Sequence, residues 1–236
     1  VGVYQNVFQN DTVGIDFYLY MRGNIKQNIN YKGLYLYVFD TTMTRLLKFY
    51  ALGSPDSTNW KKTSVKIAPT KGYTRITLLI ALQGDGWVEI DEVSCMPSDN
   101  VKGVRKEHYD LLKNWKPGVL RYPGGGFINA PTHIWTEAVG DIDQRRALVG
   151  GDRFHRMDFG YNEFLQLCED LDIAPYISVK VQGAKPEDAA NLLEYCNGGA
   201  NSKWGKIRVQ NGQYAPWKVK YWEIGNEEYF SGTTYL

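Results

Sequence analysis

Cysteine and histidine are scarce in this sequence, three of each among 236 residues. Cys95, Cys168 and Cys196 are odd in number and match no metal-ligand or redox spacing. His108, His133 and His155 are scattered, with no paired-histidine metal motif. The residues therefore call for neither a metal nor a cofactor. Cys168 and Cys196 fall on apolar helix faces, which makes them buried thiols. No apolar run reaches the ~20 residues of a membrane span. A strong charge of either sign is also missing: the net charge of +1 recruits neither nucleic acid nor an anionic membrane. No leader peptide is visible and the first residue is Val1, so the chain reads as starting inside something longer. The compartment is not fixed by these residues; a secreted or periplasmic setting is favoured over a cytoplasmic one.

Aromatic residues, by contrast, are abundant, with 17 Tyr and 7 Trp. Such rings either fill a β-rich core or present faces on which the C–H groups of sugars pack. The core is the commoner use.

The pattern changes near Pro97. Before it, Ile15, Phe17, Leu19 and Met21 alternate with Asp16, Tyr18, Tyr20 and Arg22, the period of a half-buried strand. Leu34, Leu36 and Val38 alternate with Tyr35, Tyr37 and Phe39, so both faces of that strand are able to pack. Val65 and Ile67 follow Trp60. Arg75–Leu82 and Trp87–Cys95 read as two strands around the turn Gln83-Gly84-Asp85-Gly86, a hairpin. Short strands separated by polar turns predict a β-sandwich over residues 1–97.

After Pro97, helix and strand alternate. Val104, Leu111, Leu112 and Trp115 share a face of a helix from about Lys102 to Trp115, and Pro117-Gly118 ends it. Val119–Tyr122 is a short strand. A long polar stretch from Asn129 to Asp158 reads as functional or as holding short elements. Tyr161, Phe164, Leu165, Cys168 and Leu171 mark a helix, and Ala174–Val181 a strand. Pro186, with Glu187 and Asp188 in its first turn, opens a helix that Asn197-Gly198-Gly199 stops. Val219–Ile224 is the last strand. Repeated β-α units predict a parallel sheet, open or closed into a barrel. Three such strands are visible over residues 98–236, against the eight of a complete barrel.

Two runs carry candidate chemistry. In YWEIGNEEYF, Tyr221–Phe230, an apolar strand ends in Gly225-Asn226-Glu227-Glu228. A glutamic acid past the carboxyl end of a parallel strand faces the mouth where barrel enzymes work, and can protonate a leaving oxygen. An asparagine beside it can bond a sugar hydroxyl. The plainer reading is that Glu227 and Glu228 begin a helix, where acids suit the dipole. In LRYPGGGFIN, Leu120–Asn129, a strand delivers Arg121 and three glycines make a tight turn. No Gly-Lys-Ser/Thr follows, so a phosphate loop is a poor reading. Arg121 reads as a ligand contact or, better, as a guanidinium that holds a carboxylate in place.

Taken together, RYPGG (Arg121–Gly125), Trp135, Gln144-Arg145, Asp158-Phe159-Gly160 with Glu163-Phe164, Pro175–Ser178, Glu194–Gly198, Lys220-Tyr221-Trp222 and Ile224–Glu227 resemble, in order, the α-L-arabinofuranosidases of glycoside hydrolase family 51. The resemblance runs from about Val93 to Tyr229. The segment ending in Trp87–Ser94 is similar to a carbohydrate-binding-module-like insert of some members. The resemblance implies a (β/α)8 barrel of which strands 2 to 4 are present, and a retaining mechanism. It assigns Glu227 as general acid/base, and it makes Asn226, Arg121, Gly126, Trp135 and Trp222 substrate-binding positions. It places the nucleophile at the end of a seventh strand, outside these residues, so that the 236 residues alone are expected to be inactive. It also implies an arabinose-containing oligo- or polysaccharide as partner and a homo-oligomer of the full-length protein. Two positions depart from the pattern: Gly126 where most members have Asn, and Lys180 near where many have Asn. Both bear on sugar preference, with Asn129 a substitute for the missing amide.

Two other readings stand beside this one. Another barrel-clan hydrolase, such as an endoglucanase, would keep Glu227 in its role; a substrate panel separates the two. A non-catalytic carbohydrate-binding protein would place the function in the sandwich, whose residues 1–97 would then bind polysaccharide alone.

Overall fold

The computed structural model describes residues 1–26, 33–150 and 153–228, the side chains of 148–150 and 153–155 excepted. The chain forms two compact units, Val1–Glu107 and His108–Leu236.

Among the described residues the first unit has seven antiparallel strands: β1 (Gly2–Phe8), β2 (Ile15–Ile25), β3 (Gly33–Phe39), β4 (Leu46–Gly53), β5 (Lys61–Ile67), β6 (Arg75–Gln83) and β7 (Gly86–Pro97). They make two sheets, ordered β1-β6-β3-β4 and β5-β2-β7. The alternation read in β2 is realised: Ile15, Phe17, Leu19 and Met21 are buried, and the residues between them are half-exposed. They meet Leu34, Leu36 and Val38 of β3 and Ile76, Leu78 and Ile80 of β6 in one core, so the two sheets pack face to face. On the other side of β3, Tyr35, Tyr37 and Phe39 form a row of rings with Phe49 of β4. Leu19 is fully enclosed. Leu19→Ala is expected to lower the unfolding free energy by ~2–5 kcal/mol, read as a lower denaturant midpoint at unchanged slope.

The expected hairpin is not one. The strands on either side of Gln83–Gly86 belong to different sheets: β6 pairs with β1 and β3, and β7 pairs with β2. The turn carries the chain across the sandwich. Gly86 enables this, because a Cβ there would strike the backbone of Asn24 on β2.

The helix α1 (Lys106–Trp115) begins four residues later than the sequence suggests, because Val101 and Val104 pair in a small bridge ahead of it. None of its residues is buried, and Leu111 and Trp115 are exposed. The second unit continues with β8 (Val119–Tyr122), α2 (Gly126–Asn129), β9 (Leu148–Gly150), β10 (Arg153–His155), α3 (Tyr161–Leu171), β11 (Ala174–Val179), α4 (Pro186–Asn197), α5 (Lys203–Gln210) and β12 (Tyr221–Ile224). The long polar stretch thus contains short elements: two 3-10 turns at Trp135–Ala138 and Ile142–Gln144, and the small β9-β10 ladder. Strands β8, β11 and β12 form a parallel sheet with β11 in the middle.

Each face of this sheet has its own chemistry. Leu120, Tyr122, Ile177, Val179 and Trp222 turn toward the helices, where they join Phe164, Cys168, Leu192, Tyr195 and Cys196 in an apolar cluster. Burial pushes the thiols of Cys168 and Cys196 up to about 12, so both stay protonated. The intervening residues Arg121, Tyr176, Ser178, Tyr221 and Glu223 turn to the opposite face. Several of the ordered motifs brace this scaffold. Arg145 grips Glu163 with both terminal guanidinium nitrogens, at 2.8 and 2.9 Å, and Glu163 also accepts from the Gly160 amide at the start of α3. Asn197 exchanges two hydrogen bonds with the backbone of Val219, which fixes the approach to β12.

Candidate active site

At the carboxyl ends of the three parallel strands, polar side chains converge. Arg121 leaves β8 and donates from Nε to the Glu223 carboxylate on β12 at 2.6 Å. Ser178, fully buried on β11, also donates to that carboxylate and lies 3.3 Å from Arg121 Nε. The Nη2 of Arg121 reaches past the strand end to the side-chain oxygen of Asn226, at 2.8 Å. One planar guanidinium therefore ties a strand carboxylate to the turn that follows it.

The glycine turn after β8 is shaped around that guanidinium. The Tyr122–Pro123 peptide is cis, and Gly124 and Gly125 have left-handed φ of 63° and 62°. A Cβ at Gly124 would stand 3.1 Å from three atoms of the Arg121 head, so the turn is pressed against it. Gly126 is different. It is exposed, opens α2, and has nothing within 4 Å of a Cβ built on it. Asn129, at the end of α2, donates to the Asn226 main-chain carbonyl at 2.6 Å.

The turn after β12 separates the two adjacent acids. Gly225 (φ 74°) and Glu227 (φ 50°) are both left-handed. Glu228 is buried and accepts from the Asn226 amide at 3.1 Å, under Gly225, where a Cβ would run into its carboxylate. Glu227 is exposed and Asn226 buried. Tyr229 and Phe230, which complete the run, lie outside the described residues.

Arg121 and Asn226 are brought together, and Glu227 follows Asn226 in the same turn with its side chain exposed; Trp135 and Trp222 do not join them. Trp135 is buried in the apolar cluster against Trp204, Tyr195 and Tyr161, and Trp222 lies on the helix side of β12 with its Nε1 on the Val219 carbonyl. In a strand, neighbours face opposite ways, so Trp222 and Glu223 cannot both turn to Arg121. Glu223 is the residue that the sequence reading missed. Its signal was there: an acid between apolar residues of a short strand, in step with Ser178 on β11.

Lys180, just past β11, donates to the carbonyls of Ala130, Pro131 and His133, at 2.7, 3.2 and 3.2 Å. Partial burial lowers its pKa from the usual lysine value. It thus clamps the segment that begins at Asn129. Removing the ammonium in Lys180→Met is expected to cost ~1–3 kcal/mol of stability and to speed amide exchange over residues 130–136, both measurable by hydrogen–deuterium exchange with denaturant.

The chain is similar to known proteins in sequence and in fold. The model for the alpha-L-arabinofuranosidase 1 domain matches residues 111–236. Alpha-L-arabinofuranosidase C of Emericella nidulans is 36% identical over 133 residues, 56% of this chain and 26% of its own. Alpha-L-arabinofuranosidase 1 of Arabidopsis thaliana is 32% identical over 202 residues, 76% of this chain and 29% of its own. Among solved structures, the alpha-L-arabinofuranosidase from Thermotoga maritima in an arabinose complex is 34% identical over 54% of this chain and 27% of its own, with a TM-score of 0.52. The arabinose-bound MgGH51 α-L-arabinofuranosidase shares the fold over 98% of this chain and 42% of its own, with a TM-score of 0.79 at 18% identity. The chain spans little more than a quarter of the length of these curated relatives. With more than half of its length matched by the domain model, the chain belongs to the alpha-L-arabinofuranosidase 1 domain family.

Proposed function

We propose that the protein carrying this chain is a retaining glycoside hydrolase that releases terminal α-L-arabinofuranosyl residues from arabinose-containing oligo- or polysaccharides. The observation that carries the reading is the Arg121–Asn226 hydrogen bond. It ties Asn226, the residue before Glu227, to the polar group of Arg121, Ser178 and Glu223 at the carboxyl ends of parallel strands. On this reading β8, β11 and β12 are strands 2 to 4 of a (β/α)8 barrel within residues 98–236. Residues 1–97 are a carbohydrate-binding-module-like sandwich.

Each residue has a distinct part. Glu227 protonates the departing glycosidic oxygen, then removes a proton from the water that frees the sugar. A second carboxylate, outside these residues and about 5–5.5 Å away, attacks the anomeric carbon. The Asn226 oxygen accepts from Arg121, so its amide nitrogen is left to donate to a sugar hydroxyl. Arg121 positions Asn226 and holds Glu223. Gly126 offers its backbone and open space to the substrate. Trp135 and Trp222 support the strand ends from the apolar side.

The test is a substrate panel with the full-length protein: aryl α-L-arabinofuranosides and arabino-oligosaccharides against cello-oligosaccharides. Turnover of the first group alone supports the reading. Turnover of the second alone transfers Glu227 to an endoglucanase. The 236 residues by themselves are expected to show no turnover on either.

A further inference from the structure

The turn that carries Glu227 is held at the residue before it. The main-chain N–H of Asn226 donates to the Glu228 carboxylate at 3.1 Å, and its main-chain carbonyl accepts from the Asn129 side-chain amide at 2.6 Å. Its side-chain oxygen is on Arg121, and the amide of Gly225 donates to the Val179 carbonyl of β11 at 2.9 Å. Both peptide groups that flank Asn226 are thus fixed by side chains, Gly225–Asn226 by Glu228 and Asn226–Glu227 by Asn129. This attachment answers a need. Glu227 has a φ of 50°, in the left-handed region that costs free energy to any residue with a Cβ. A glutamate keeps such a backbone only when its surroundings hold it there.

We propose that Glu228 and Asn129 are positioning residues for Glu227: together they clamp the two peptide groups around Asn226 and so keep the backbone of Glu227 in its left-handed turn. The inference rests on the reading of Glu227 as the acid/base. Glu228 is placed for the task. It is 4% exposed, and its carboxylate fits beneath Gly225 only because that residue has no Cβ to meet it. Asn129 is the last residue of α2, so through it the glycine turn after β8 is tied to the turn after β12. Two adjacent glutamates therefore divide the work. The exposed Glu227 meets the substrate, and the buried Glu228 touches only the frame that carries it. Without the clamp the Asn226–Glu227 peptide is free to rotate toward the right-handed region, and the proton donor leaves its alignment with the glycosidic oxygen.

The test measures kcat and KM of the full-length protein on an aryl α-L-arabinofuranoside, for Glu228→Ala, Glu228→Gln and Asn129→Ala, each in wild type and in Glu227→Ala. Glu228→Ala is expected to lower kcat ~10²-fold, and Asn129→Ala ~10-fold, with KM moved less than about threefold. Glu228→Gln keeps an oxygen that can accept from the Asn226 N–H and should recover most of the loss. In the Glu227→Ala background each substitution should add less than about twofold, because residues that act through one group are not additive. A merely structural defect would add its full loss in both backgrounds, and that result overturns the proposal. Should Glu228→Ala fail to fold, Asn129→Ala decides. A slow Glu227→Ala beside wild-type kcat in the clamp variants overturns this inference alone. Wild-type rates in Glu227→Ala overturn the reading beneath it, and the inference with it.

Discussion

Glu227→Ala in the full-length protein is expected to hydrolyse aryl α-L-arabinofuranosides ~10²–10⁴-fold more slowly than wild type. The loss should depend on the leaving group. A nitrophenolate departs with little protonation, so the first displacement survives and a glycosyl-enzyme accumulates. An alkyl or sugar leaving group needs the proton, and with it the first step itself fails. Azide needs no general base, so it should attack the accumulated intermediate, restore turnover on the aryl substrate and give a glycosyl azide of retained configuration. Wild-type rates in the variant would mean that Glu227 is merely an exposed acid in a turn. A slow variant that azide does not rescue would leave Glu227 important but not as the acid/base.

The second large effect is expected at Arg121. Its guanidinium makes charge-assisted bonds to Glu223 and Asn226, which lie on opposite sides of the Gly225 turn. Arg121→Met leaves the Asn226 side-chain oxygen without its partner and Glu223 with Ser178 alone, at a cost of roughly 1–3 kcal/mol in stability because the pair is partly exposed. The kinetic loss should be larger, ~10²-fold or more in kcat/KM, because a small misplacement of Asn226 and Glu227 is enough to spoil alignment. Arg121→Lys discriminates charge from shape. An ammonium can satisfy Glu223 but lacks the fork that spans to Asn226. Near-normal stability with kcat/KM still depressed is the expected result. If Arg121→Lys restores full activity, the charge alone matters and the spanning geometry does not.

Much of this architecture was legible because burial and sequence period agree. In β2 the buried Ile15, Phe17, Leu19 and Met21 alternate with the half-exposed Asp16, Tyr18, Tyr20 and Arg22, so the strand could be read directly. Strand β1 was not legible, since six of its seven residues are exposed and no alternation distinguishes its faces. Helix α5 was missed for another reason. Its anchor is not an apolar stripe but Arg208, fully buried, whose guanidinium donates to the carbonyls of Tyr195, Gln213 and Tyr214. A charged residue serving as a core residue runs against the pattern by which helices are found. At the site, the Gly-Asn-Glu run and Arg121 stood out as residue types, but their connection through Glu223 depends on cross-strand register, which no local pattern contains. The two tryptophans illustrate the converse. Their chemistry suits sugar, and the fold uses it for packing.

The alternation of β12 gives this short strand something like a reading frame. Trp222 belongs to the helices and Glu223 to Arg121, one residue apart. Deleting one residue between Val219 and Tyr221 would exchange the two destinations, sending a carboxylate into the apolar cluster and an indole onto the polar face. The loops at either end of this strand can therefore drift in length over evolution only where the strand's phase is reset, and β12 itself tolerates substitutions far better than it tolerates a change of one in its count.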